Sequence, residues 1–354
     1  MVVPNLRLPV NTGTPTVAYT EMGRMEGAVG YMVLDSGEEV RTSVQQLTLL
    51  TGPKAFAGHV DVIQTNAIRS WLLLEPRPHV ILFGDEPGTA QVATRLGLTH
   101  MPQVATAPSG TPLLNDLFRR AEEVAPGGLL AFVNADIILP SGFSRAVHNV
   151  FAGGRPALMV GRRWELDVRE PLAFAEPSWE HELLRQVSTT GVQRGPEAID
   201  YFVFRAGLLG EVPPFALGRP AWDNWMIYRA RQLGARVVDA SEDVVAVHQN
   251  HDYTHVEGGF DQVWKGPEAA RNRELAGYCA ATFSTIDATY VLRNGRQRRA
   301  LGRAHLRRKM EAAAMLGSWL SPLLRAALLL ADATFPMRAR LGLALNPGKL
   351  KREK

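Results

Sequence analysis

The residues of this 354-residue chain best suited to chemistry are an aspartate that interrupts an apolar run and a group of histidines far downstream. In GLLAFVNADIIL, 128–139, the β-formers Leu129, Leu130, Phe132 and Val133 stop at Asn134-Ala135-Asp136 and resume as Ile137-Ile138-Leu139. A buried strand tolerates no unpaired carboxylate, so Asp136 belongs where a strand opens at the edge of a sheet. There it either takes a cation, and through it a phosphate, or caps a turn before Pro140. His248, His251 and His255 follow the apolar VVAV. Their HxxHxxxH spacing would suit zinc on a helix, but VVDASEDVVAV reads as strand and no cysteine is near. Ordinary hydrogen-bonded histidines are the alternative. Asp223, in AWDNW, stands at a helix start after Pro213, Pro214 and Pro220, where an N-cap aspartate is worth about 1 kcal/mol. The flanking Trp222 and Trp225 either stack on a sugar or form a buried helix face.

The elements that must position these residues alternate. QQLTLLTGP reads as a strand ending at Gly52-Pro53, and VIQTNAIRSWLLL has helical spacing. HVILFGDEPG is a second strand, closed by Gly84-Asp85-Glu86. AQVATRLGL is a short helix with Gly97 near its end, and TPLLNDLFRRAEEVA an amphipathic one. After the strand that carries Asp136 come ALMVGRRWELDV (strand), a helix around 178–190, EAIDYFVFRAGLL, the helix from Asp223, and a strand pair leading to the histidines. Strand–helix alternation implies an α/β fold: a doubly wound, mostly parallel sheet with flanking helices. In such sheets the strand carboxyl ends form the ligand crevice. Thr51, Asp85 and Asp136 all fall at strand ends in this reading.

Bulk properties narrow the class. Hydrophobic residues make up 46% and charged residues 21%, as in an ordinary globular protein. Cys279 is the only cysteine, so no intramolecular disulfide forms, which suits a reducing, cytoplasmic setting. The first residues lack a basic segment followed by a continuous apolar one, so no secretory signal is expected. Charge is uneven: residues 291–354 hold 15 Lys/Arg against 3 Asp/Glu, and the rest 24 against 32. The tail therefore accounts for the net +4. RQRRALGRAHLRRK, 296–309, is followed by Leu316, Trp319, Leu320, Leu323, Leu324, Ala327 and Leu328 on one helical face. This C-terminal helical tail either lies on a membrane surface, placing the protein at the inner face, or packs on the acidic body. No span follows. The body lacks interleaved aromatic and basic residues, so nucleic acid is not an expected partner.

The order of motifs resembles a known family. It runs from Thr51-Gly52-Pro53 and Gly84-Asp85 through Gly110-Thr111-Pro112 with Asn115 to Asp136, the acidic helix start at Asp223 and a late histidine. The chain is similar to nucleotide-sugar-dependent glycosyltransferases of the GT-A fold, family 2-like, over about residues 45–290. The resemblance implies three segments: an extension over 1–44, a catalytic domain over 45–290 and a tail over 291–354. It also implies a nucleoside-diphosphate sugar donor (UDP or GDP) and a glycan, lipid-linked or small-molecule hydroxyl acceptor. Asn134, Ala135 and Asp136 match the family's DXD positions, with Asn134 replacing the first acid. Asp136 then carries the metal, Mn²⁺ or Mg²⁺, with His248 the best-matching imidazole and His251 and His255 as fallbacks. Asp223 matches the base of inverting members, although Ala221-Trp222 stand where the family places a preceding acid. Thr51, Asp85, Asn115, Asn134 and Arg163 are the implied donor contacts; Asp200 and Trp222 face the acceptor.

Two other functions remain open at this level. A sugar-phosphate nucleotidyltransferase would show a Gly-rich basic loop after the first strand, and TGPKAFAG offers only Lys54. A catalytically silent carbohydrate- or membrane-binding protein could retain the sheet, and Asn134 in place of an acid keeps that reading.

Overall fold

Strands and helices alternate along the chain because short apolar runs, buried on both faces as in LLAFV, give way to stretches whose apolar residues recur every three or four. The computed structural model describes residues 30–33, 39–42, 46–251, 259–277, 280–313 and 315–316. The unit Met1–Val44 contains two antiparallel strands, β1 (Gly30–Val33) and β2 (Glu39–Thr42). The unit Gln45–Lys354 contains the remaining described elements. In order they are β3 (Leu47–Thr51), α1 (Gly58–Leu72), β4 (His79–Phe83), α2 (Thr89–Leu96), β5 (Thr99–Met101), α3 (Leu114–Val124), β6 (Leu129–Val133) and β7 (Ile137–Ile138). Next come α4 (Gly142–Phe151), β8 (Ala157–Leu166), α5 (Trp179–Thr190), β9 (Val192–Gln193), β10 (Ile199–Arg205), α6 (Trp222–Gln232), β11 (Arg236–Asp239) and β12 (Ala246–Gln249). The last are α7 (Gly259–Lys265), α8 (Pro267–Ala276), β13 (Tyr290–Arg293), β14 (Arg296–Arg299) and α9 (Arg303–Ala313).

The main sheet runs β14-β13-β11-β8-β10-β6-β3-β4-β5, with β12 joining β7 and β8, and β9 joining β8. β6, β3, β4 and β5 are mutually parallel, as are β8, β11 and β13. β10 lies antiparallel between the two groups. The sheet is thus mixed but mostly parallel, and helices cover both faces. Alternation along each strand decides which core a side chain joins. Leu50, Leu130 and Phe132 pack under α3 and α6, whereas Leu49, Leu129, Ala131 and Val133 pack under α1 and α4. Two glycines are required by this packing. Gly97 ends α2 at φ 67°, a left-handed position that a Cβ disfavours. A Cβ at Gly161 would collide with the Tyr201 hydroxyl, because β8 and β10 close around that ring.

The cationic segment 296–309 is not one helix. Arg296–Arg299 is a strand, β14, which forms a hairpin with β13 through Asn294 (φ 50°) and Gly295 (φ 71°). Both turn residues are anchored by Asp243, whose carboxylate accepts from Asn294 N–H at 2.8 Å and Gly295 N–H at 2.6 Å. In α9, Ala312 and Ala313 are buried, Arg308 pairs with Asp287 at 2.8 Å, and Leu316 packs against the core. The described part of the tail therefore rests on the body. Trp319, Leu320, Leu323, Leu324, Ala327 and Leu328 lie outside the described residues. Among the described residues no helix is long and apolar enough to cross a membrane.

Candidate active site

A cleft of about 750 Å³ opens at the carboxyl ends of β3 and β6. Strand geometry brings its polar residues together. β6 ends at Val133, and the turn Asn134–Asp136, closed by Ile137 N–H donating to the Asn134 carbonyl at 3.1 Å, turns the chain into β7. Because β7 pairs with β12, with His248 opposite Ile137, the histidine arrives beside Asp136. His251 follows just past β12. Its Nε2 lies 3.1 Å from Asp136 Oδ2, and His248 Nε2 lies 3.8 Å from the same oxygen. One ligand atom from each residue lies within 4.8 Å of the other two. His255, the other fallback, lies outside the described residues.

The donor set fits a hard or borderline divalent ion. Asp136 Oδ1 and His248 Nδ1 are buried without hydrogen-bond partners, and a carboxylate oxygen and one unprotonated ring nitrogen of each imidazole are lone-pair donors suited to such a cation. Burial alone would raise the Asp136 carboxyl. His248, the hydrogen bond to His251 and the Lys54 ammonium outweigh it and hold the group ionised, well below the usual range. Burial lowers His248, keeping a neutral imidazole able to coordinate, and this removes part of the positive charge facing Asp136. Lys54 then matters more: its Nζ is 3.4 Å from His251 Nε2, and burial pushes its own pKa down against the pull of Asp136.

Polar side chains on α1 fix these loops. Gln64, 1% exposed, grips the segment after β3 by accepting from Lys54 N–H at 2.7 Å and donating to the Lys54 carbonyl at 2.9 Å. Asn66 bonds Gln249, which in turn donates to the Asp136 carbonyl at 3.0 Å. Trp71 Nε1 donates to the Ile137 carbonyl at 2.8 Å. Lys54, Gln64, Asn66 and Gln249 carry no recognisable motif. The only signal for Gln64 and Asn66 is the presence of amides and serine on the otherwise apolar face of α1.

Behind the metal cluster lies a second polar group. Asp200, at the β10 irregularity opposite β8, accepts from Asn134 Nδ2 at 2.6 Å and pairs with Arg163 Nη1 at 2.9 Å. Arg163 also reaches Glu165 at 3.1 Å. Arg163 is thus held by two carboxylates, and Asp200 is only 6% exposed, so both sit as internal supports rather than on the cleft wall. Asp223 opens α6. Burial lifts its carboxyl to about 6, the Asn224 N–H opposes this at 2.9 Å, and the nearby charge of Asp200 adds to the rise. Ala221, two residues earlier, has φ 88°, an uncommon strained backbone for a residue with a Cβ.

The remaining candidates disperse. Asn134 lines the cleft with Asp136. Thr51 is buried at the end of β3, its hydroxyl without a partner. Asp85 is exposed beyond β4, where its neighbour Glu86 lines the cleft. Asn115 lies in the first turn of α3 with an unpartnered buried Oδ1 and does not line the cleft. Trp222 is 5% exposed, its ring enclosed by Phe132 at 5.1 Å and Phe202 at 5.2 Å. α6 faces the sheet with Trp222, Trp225, Met226 and Ile227, so the expected sugar-stacking face is spent in the core. The far wall has Thr111 and Arg219, both tied to Glu268, at 3.1 and 2.8 Å.

No protein-family model matches the chain, and comparison with curated proteins gives no match. Solved structures give several similarities. A glucosyl-3-phosphoglycerate synthase from Mycobacterium tuberculosis aligns at 16% identity over 68% of this chain and 81% of that one, TM-score 0.41. A mannosyltransferase from Pyrobaculum calidifontis aligns at 17% over 86% and 79%, TM-score 0.40. S. aureus TarS 1-349 aligns at 14% over 58% of this chain and spans 60% of that chain's length, TM-score 0.39. At these identities and scores, what the chain does is read from its own side chains.

Proposed function

We propose that the chain is a metal-dependent glycosyltransferase, of hexosyltransferase type, moving a sugar from a nucleoside-diphosphate sugar to a hydroxyl acceptor with inversion. The observation that carries this reading is the convergence of Asp136, His248 and His251 on one point, with Asp136 on the wall of a roughly 750 Å³ cleft. A cleft of that volume matches a small-molecule site. Asp136, His248 and His251 would hold the ion. A divalent ion, Mn²⁺ or Mg²⁺, supplies Lewis-acid stabilisation to the departing diphosphate when bound. Lys54 adds positive charge from the same wall. Thr51 and Asn115 back the nucleotide site from behind the cleft wall, Asp85 flanks it beside Glu86, and Asn134 borders the diphosphate.

Asp223 is the base in this reading. A carboxyl titrating at about 6 is ionised at neutral pH yet basic enough to accept a proton. It takes the proton of the acceptor hydroxyl as that oxygen attacks the anomeric carbon, and the nucleoside diphosphate leaves with the bonding electrons from the opposite face. Asn134 and Arg163 act through Asp200, whose fixed negative charge keeps Asp223 basic. Residues 319–328 would bring the protein to a membrane if the acceptor is lipid-linked. The test is release of UDP or GDP from a panel of sugar donors with Mn²⁺ and candidate acceptors. Turnover lost in Asp223→Asn, with donor binding retained, supports the assignment. Donor binding with no turnover by the wild type under any acceptor supports the silent binding protein.

A further inference from the structure

Basic side chains from three elements meet at a small cavity on the β13–β14 edge of the sheet. Arg231 comes from the last turn of α6, Arg299 ends β14, and His305 and Lys309 are one turn apart on α9. The cavity holds about 170 Å³, its lining includes no carboxylate, and none of its residues borders the cleft already described. A volume that small excludes a drug-sized ligand and suits a single charged group.

The acids nearby are committed elsewhere: Asp239, whose charge reaches His305, accepts from Ser241 N–H at 2.9 Å. Asp287, 2% exposed, accepts from Arg308 Nε at 2.8 Å and Ser284 N–H at 3.0 Å, so Arg231 bonds only its carbonyl oxygen. Glu311 pairs with Arg307 at 3.0 Å and with Arg308 at 3.7 Å. Among the described residues Arg299 and Lys309 have no ion pair. Burial weakens the Arg231 cation, and Arg308 repels it, against support from Asp287. A fold that gathers Arg231, Arg299 and Lys309 around one carboxylate already paired with Arg308 raises its own energy unless a counter-ion relieves them. The His305 ring is set for contact: Nδ1 lies 2.8 Å from the Ile286 carbonyl and donates to it, leaving Nε2 as the other polar atom.

We infer that this cavity binds a phosphate monoester or diphosphate group, at a site separate from the metal cleft. The two arginines offer planar forks for bidentate oxyanion recognition, and Lys309 a mobile point charge. A bound anion would tie α6, the β13–β14 hairpin and α9 together. The phosphate could belong to a soluble compound or to a lipid headgroup.

The experiment titrates the full chain in EDTA with inorganic pyrophosphate, following heat, so that no metal loads the cleft. Saturable binding should weaken by about tenfold or more in Arg299→Ser/Lys309→Ser, since each exposed cation is lost without disturbing the core. Arg185→Ser/Arg271→Ser, which removes equal charge from exposed positions on α5 and α8, should bind as the wild type does. A second arm floats phosphatidylcholine vesicles with and without phosphatidic acid. Pyrophosphate binding alone assigns a soluble phosphate compound. Capture by phosphatidic acid, lost in the cavity variant and kept in the control, assigns a headgroup. Equal behaviour of the two variants, or no binding by the wild type in either arm, overturns the site.

Discussion

Consider Asp223→Asn, which exchanges a carboxylate for an amide of the same shape. Raising a carboxyl from 3.8 to about 6 costs the charged form about 3 kcal/mol at pH 7. Asp223 is half-buried rather than sealed, and water screening trims the figure to about 2 kcal/mol. The amide oxygen still accepts from Asn224 N–H, so the helix start keeps its hydrogen bond. The variant should therefore be more stable than the wild type at neutral pH, by about 5 °C in Tm. The sign with pH is fixed. An acid whose folded pKa is raised favours the native state while protonated, and that contribution disappears as pH rises from 3.8 through about 6. The stability gap between variant and wild type is thus full above about pH 6 and closes toward pH 4. Urea unfolding at several pH values from 4.5 to 7.5 measures it, and activity should fall by about 10²–10⁴-fold in the same variant. A variant less stable at neutral pH, or a gap that does not change with pH, would refute the raised carboxyl and the base assigned to it.

Other consequences are simpler to state. Arg163→Ala leaves Asp200 buried beside Asn134 with its charge unpaired, and unfolding free energy should drop by about 3 kcal/mol; a loss below about 1 kcal/mol means Asp200 is solvated. Asp116 accepts from Ala105 N–H at 2.8 Å, from Arg120 at 2.8 Å and from Arg119 at 2.6 Å. Burial opposes its ionisation, but these donors hold the carboxyl at about 2. That stability is present above about pH 4 and lost as pH falls through about 2. Asp116→Ala should cost about 1–2 kcal/mol and loosen the segment leading to Ser109 and Thr111, read as faster amide exchange there and weaker donor binding.

Much of the frame could be read before folding. The alternation of LTLLT, HVILF and LLAFV with helical stretches places Thr51, Asp85 and Asp136 on one rim, because parallel strands end together. The pairing of Asp136 with late histidines also followed from motif order, although His251 proves nearer than His248. What escaped depended on long-range register. Nothing local shows that Arg163 and Asp200 meet, because their contact arises where β8 and β10 slip relative to each other. Trp222 and Trp225 look like a sugar platform or a core face with equal ease, and only the side on which α6 meets the sheet decides. The β13–β14 hairpin carried a usable signal, Asn294-Gly295, which favours a tight turn with positive φ. Its arginine-rich flanks masked it as the start of a helical tail. Lys54 stood out only as the one basic residue after the first strand, and Gln64 not at all, because their roles depend on burial, not on spacing.

The account stands on one ion shared by Asp136, His248 and His251. Manganese titration followed by electron paramagnetic resonance tests it directly, with UDP or GDP added at saturation. The wild type should bind one Mn²⁺, its signal should change when the nucleotide is added, and Asp136→Ala, His248→Ala and His251→Ala should each weaken binding by about tenfold or more. Binding that survives all three substitutions, or a spectrum indifferent to the nucleotide, would contradict it.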